Sequence, residues 1–142
     1  MTGTLHGMEA FSVEAGVRGG PNAASRARML MRNELSGRVP RHVLPDVALL
    51  LTELVANGVC HGGADERTEL HVRFEGRPPA LRVEVANPDL TPGTVGTRRP
   101  DMHGGGGLGL HIVERLASRW GVRDDPRTAV WFELDCDSET LL

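Results

Sequence analysis

The chain has 142 residues, 39% of them hydrophobic and 25% charged, with a formal net charge of −3. That is enough for one domain around one core, and the acidic balance gives no general reason to bind nucleic acid or an anionic membrane. All 16 positive residues are Arg; without Lys the chain cannot carry a P-loop, the usual protein-kinase core or a pyridoxal Schiff base.

The first ten residues are small and polar and are expected to fray. Phe11-Ser12-Val13-Glu14-Ala15 alternates as a short strand. After a loop over 16–20, Pro21-Asn22-Ala23-Ala24-Ser25 starts a helix reaching about Leu35, with Ala24, Ala27, Met31 and Leu35 on one side and Gly37 closing it. Residues 40–45 connect to a second helix, opened by Pro45 and Asp46. Its apolar residues Val47, Leu50, Leu51, Leu54, Val55 and Val59 have the spacing of a helix buried on one side, and Gly62-Gly63 ends it.

Leu70-His71-Val72-Arg73-Phe74 and Leu81-Arg82-Val83-Glu84-Val85 alternate as two strands, with residues 75–79 as their hairpin loop. Asn87-Pro88-Asp89 stops the second. Residues 90–104 have no periodicity, and loops of that length are uncommon unless functional. A glycine run, 103–110, then opens a helix expected to bury Ile112, Val113, Leu116, Ala117 and Trp120 and to close at Gly121. Thr128-Ala129-Val130-Trp131-Phe132-Glu133-Leu134 is the last strand. The order predicts an α+β two-layer sandwich, a largely antiparallel sheet with helices on one face. It forms a single domain over 11–135, between a flexible start and a polar tail at 136–142.

Cys60 and Cys136 stand far apart and in no metal-ligand spacing, which points to free thiols in a reducing cytoplasm. Neither a secretory signal nor an apolar run long enough for a bilayer is visible. A cytoplasmic protein is the expectation.

Two stretches carry chemistry. In His103-Gly104-Gly105-Gly106-Gly107-Leu108-Gly109-Leu110 the backbone N–H groups are unscreened, and the helix behind adds free donors and a positive dipole end. That makes a site for an anion such as phosphate. A flexible linker is the bland alternative, but a linker does not need to run straight into an amphipathic helix. On the second helix, Glu53, Asn57 and His61 fall at i, i+4 and i+8 beside the apolar stripe. Asn57 offers a neutral oxygen to a hard cation such as Mg²⁺, and Glu53 can orient or deprotonate a hydroxyl or water. A solvated helix face is the competing reading. Gly104, Gly106 and Gly109 match the dinucleotide fingerprint, but a Pro-bearing loop precedes them where that motif needs a strand.

The pattern as a whole resembles the GHKL superfamily of ATPases and kinases, with its Bergerat ATP-binding fold. Glu53-Leu54-Val55-Ala56-Asn57-Gly58-Val59-Cys60-His61-Gly62 is similar to the family's N box, and Gly105-Gly106-Gly107-Leu108-Gly109-Leu110 to its G2 box. Thr128 sits where the family often has a Thr near the nucleotide. Within the superfamily the chain resembles the compact anti-sigma-factor serine/threonine kinases, and the likeness spans residues 11–135. At the G1 box, where the family places an Asp that accepts the adenine amino proton, this chain has Asn87, and Asp89 replaces the usual glycine.

The resemblance implies ATP as nucleotide, with adenine near Asn87 or Asp89 and the phosphates under the glycines. Mg²⁺ would be held by Asn57, and Glu53 would be the catalytic base toward a serine of an anti-anti-sigma partner. It also implies a sigma factor as the regulated protein, a possible homodimer, and no direct contact with nucleic acid or membrane. His61 would support the metal site or cap the helix. Arg98 or Arg99, in the loop, would reach the γ-phosphate or stay solvated.

Overall fold

The computed structural model describes residues 8–62, 65–87, 108–124 and 128–136. The elements are β1 (Phe11–Arg18), α1 (Ala23–Leu35), a 3-10 turn (Arg41–Val43), α2 (Leu44–Gly62), β2 (Glu69–Arg77), β3 (Ala80–Ala86), α3 (Leu108–Leu116), β4 (Arg119–Arg123) and β5 (Ala129–Asp135). The strands form one sheet in the order β1-β2-β3-β5-β4, and every neighbouring pair is antiparallel. This is the expected two-layer α+β architecture.

Strand alternation decides which side chains enter the core. Leu70, Val72 and Phe74 of β2, Leu81, Val83 and Val85 of β3, and Val130, Phe132 and Leu134 of β5 are buried on one face. The register lines them up across the sheet as Phe74, Val83 and Phe132, and as Val72, Val85 and Val130. The helices close over these rows. Ala23, Ala27, Met31 and Leu35 come from α1, Val47, Leu50, Leu51, Leu54 and Val55 from α2, and Val113 from α3. Each large aliphatic or aromatic side chain removed from water contributes about 1.5–3 kcal/mol before chain entropy is counted. No helix among the described residues is long and apolar enough to cross a membrane.

Four local expectations are corrected. The loop expected over 16–20 is shorter, because β1 stays paired with β2 as far as Arg18. The helix after the glycine run does not reach Gly121; it stops at Leu116, and residues 119–123 are the strand β4. The changeover is sharp. The N–H of Ala117 makes a last helical bond to the carbonyl of Val113 (2.9 Å), and the next N–H, of Ser118, already donates to the carbonyl of Glu133 in β5 (2.8 Å). Trp120 therefore pairs with Phe132 across the sheet, and Leu116 is surface-exposed, not core. Residues 75–79 are not a five-residue loop. β2 runs on to Arg77 and β3 starts at Ala80, so only Pro78 and Pro79 turn. The carbonyl of Pro79 accepts the N–H of Cys136 (2.6 Å), which ties the turn to the end of β5. The connector at 40–45 is already helical, as a 3-10 turn running into α2.

Among the described residues no helix covers the other face of the sheet, and that face is charged. The carboxylate of Glu84 on β3 accepts from Arg82 Nε (2.9 Å) and from Arg123 of β4 (2.8 Å). Glu133 on β5 accepts from Arg82 (3.1 Å) and Arg119 (2.7 Å), and Arg119 also donates to Asp135. Burial pushes the carboxyl groups of Glu84 and Glu133 up, but the arginines facing them win, and both sit below the ordinary value. Trp131 lies between Gly121, where a Cβ would come within 2.8 Å of its ring, and the guanidinium of Arg82, 4.0 Å from its ring centroid.

Candidate functional site

The helix α2 carries the two side chains that read as chemistry. Thr52 fixes which flank they occupy. Its hydroxyl donates to the carbonyl of Ala48 (2.7 Å) and accepts from Arg28 of α1 (3.0 Å). Residues five apart on a helix lie about 140° apart, so Asn57 is on the opposite flank from Thr52, with the buried stripe between them. Glu53 turns the same way. α3 packs against α2 and β4 and makes no comparable packing with α1. Glu53 and Asn57, both half-buried, thus stand on the side of α2 where α3 packs.

The second part of the site lies at one end of the sheet. The last registered pair between β3 and β5 is Ala86 with Ala129. The next residue on each chain is Asn87 on one side and Thr128 on the other, and strand alternation puts both on the helix-covered face. Asn87 is 1% exposed and Thr128 6%. Apart from Glu84 on the open face, they are the buried polar side chains among the described residues. Asn87 has a hydrogen-bonding or electrostatic contact, and both side chains carry donor and acceptor capacity. Two neutral hydrogen-bonding groups inside an apolar layer suit a flat, edge-reading ligand such as a nucleobase. α2 packs on both β3 and β5, the strands that hold this pair.

Among the described residues no group of three or more His, Cys, Asp or Glu is placed to hold a metal. The donor set at Asn57 suits a cation that takes few protein ligands and completes its shell with water and phosphate oxygens, the habit of Mg²⁺. Asp89, Gly105, Gly106, Gly107, His103, Arg98 and Arg99 lie outside the described residues, as does the loop over 90–104. Gly109, Leu108 and Leu110 are in the first turn of α3, and His61 is in the last turn of α2; their side chains also lie outside what is described. Thr52 has no counterpart in the sequence reading. Its role depends on Arg28, 24 residues away, and no local pattern announces it.

A family model for the histidine kinase-like ATPase domain matches residues 18–134, from the end of β1 into β5. No curated protein matches the chain. The matched span contains α2 with Glu53 and Asn57, the glycine run, and the Asn87–Thr128 end of the sheet. The chain belongs to the histidine kinase-like ATPase family, which implies ATP binding.

Proposed function

We propose that the protein is an ATP-dependent serine/threonine protein kinase of the anti-sigma-factor type, acting in the cytoplasm on an anti-anti-sigma protein and through it on a sigma factor. The observation that carries this reading is the position of Glu53 and Asn57 on the flank of α2 that faces α3, with α2 packed on β3 and β5, the strands that run into Asn87 and Thr128. Asn87 and Thr128 bind the adenine edge. Asn57 holds Mg²⁺, which neutralises phosphate charge when bound. The backbone N–H groups of Gly105, Gly106, Gly107 and Gly109 hold the phosphates. Glu53 accepts the proton of the partner's serine hydroxyl as its oxygen bonds to the γ-phosphorus and the bond to the β-phosphate oxygen breaks.

A second reading, an ATP-responsive module that holds a partner without turnover, is favoured by one observation. Asn87 is neutral where a carboxylate would make the stronger, charge-assisted bond to the adenine amino group.

Incubation with γ-labelled ATP, Mg²⁺ and a candidate anti-anti-sigma protein separates the two. Label on a serine is expected, with Glu53→Gln lowering the rate about 10²–10⁴-fold at unchanged thermal stability. No label refutes the kinase reading and leaves the binding module; labelling at a rate indifferent to Glu53→Gln refutes Glu53 as its base.

A further inference from the structure

Two groups of arginines in this protein stand in different surroundings. On the open face of the sheet, Arg73, Arg77, Arg82, Arg119 and Arg123 all make ion pairs with carboxylates. Between residues 15 and 45 the chain carries six more, Arg18, Arg26, Arg28, Arg32, Arg38 and Arg41, against a single acid, Glu34. Among the described residues none of these six makes an ion pair. Arg28 is engaged with the Thr52 hydroxyl, and Arg38 sits over the ring of Phe11 at 5.2 Å. The rest of the chain has eighteen acids and ten arginines. A protein that is acidic overall therefore gathers positive charge without ion pairs, among the described residues, at the end of β1, on α1 and in the turn after it.

The geometry of α1 organises that charge. Its inner face, Ala23, Ala27, Met31 and Leu35, is buried. On the outer face Arg26, Met29 and Arg32 succeed one another at three-residue steps. Each step advances about 4.5 Å and turns about 60° back, so the two arginines stand about 9 Å apart along the axis with Met29 between them. Arg26 and Arg32 are exposed, and Met29 is 59% exposed, the most exposed large hydrophobic residue of the protein as described. Arg and Met are the side chains enriched where proteins meet proteins.

We infer that the outer face of α1 is a docking surface for an acidic segment of a partner protein, one that presents carboxylates on either side of an apolar side chain. The charge is complementary to such a segment, and Met29 gives it an apolar centre. The surface does not suit a membrane, because the apolar face of α1 is committed to the core and only Met29 remains to insert. Nor does it suit nucleic acid, because it offers no aromatic platform and the remainder of the chain is acidic in balance. Arg28 and Thr52 lie between this surface and the flank bearing Glu53 and Asn57, so docking here is separate from nucleotide binding.

Fluorescence anisotropy with the full chain and no nucleotide tests it. The probe is a short fluorescein-labelled peptide with Glu pairs on either side of one Leu. A single-stranded oligonucleotide and phosphatidylserine vesicles are the comparison ligands. The peptide is expected to bind, more weakly as salt rises. R26E/R32E should cost about tenfold or more in affinity, M29A a smaller factor, and R77E on the open face nothing. All substituted side chains are exposed or at a rim, and circular dichroism verifies their folding. No peptide binding at millimolar concentration, binding unaltered by R26E/R32E, or tighter binding of the oligonucleotide or the vesicles overturns the inference.

Discussion

The strands β2, β3 and β5 present two unlike surfaces from alternate residues of the same sequence. Towards the helices they are apolar from end to end until Asn87 and Thr128. Away from the helices they carry Glu84, Glu133, Arg82 and Trp131 in a ladder of opposite charges. On the open side charge is abundant and internally neutralised, so it serves the sheet. On the closed side polarity is rare and placed at one end, so it serves a ligand. The number of charged residues on a surface is thus a poor guide to function; what matters is whether neighbouring groups already satisfy them. The same test separates the paired arginines of the sheet from those of α1.

The two faces should fail differently when damaged. Phe132→Ala, on the closed face, removes a fully buried ring from the row it shares with Phe74 and Val83 and is expected to cost about 3–5 kcal/mol in denaturant unfolding. Glu84→Gln, on the open face, takes one carboxylate from Arg123 and from Arg82, which keeps Glu133, and should cost less, about 1–3 kcal/mol. The open face should also respond to acid. Glu84 and Glu133 have folded values below the ordinary 4.5. Their contribution is fully present above that value and is lost as pH falls through the folded values. Stability should therefore decline on acidification below about pH 4.5, and Glu84→Gln should make the decline shallower. A Glu84→Gln protein with unchanged stability and unchanged acid response would show that the ladder is solvated and contributes nothing.

Much of this was legible in the chain. The period-two pattern of residues 70–74, 81–85 and 128–134 gave three strands and their buried side, and the stripe from Val47 to Val55 gave α2 and its buried side. β4 was not legible. Val113, Leu116, Ala117 and Trp120 have helical spacing, and only pairing of Trp120 with Phe132, made by the chain's return, turns Arg119–Arg123 into a strand. The partners of Glu84 were hidden for the same reason, since Arg123 lies 39 residues away. At the site, Glu53 and Asn57 stood out because polar residues interrupt an apolar helix. Their flank could not be assigned without the Arg28–Thr52 contact, and the adjacency of Asn87 and Thr128 exists only through the register of β3 on β5.

The claim that the polar end of the closed face is the nucleotide site is tested most directly by calorimetric titration of ATP with Mg²⁺ into the protein and into Asn87→Ala. The account predicts saturable binding by the native chain and a loss of about tenfold or more on removing the Asn87 amide, read at a temperature where circular dichroism shows the variant folded. No heat of binding at millimolar ATP, or an affinity that Asn87→Ala leaves unchanged, would contradict it.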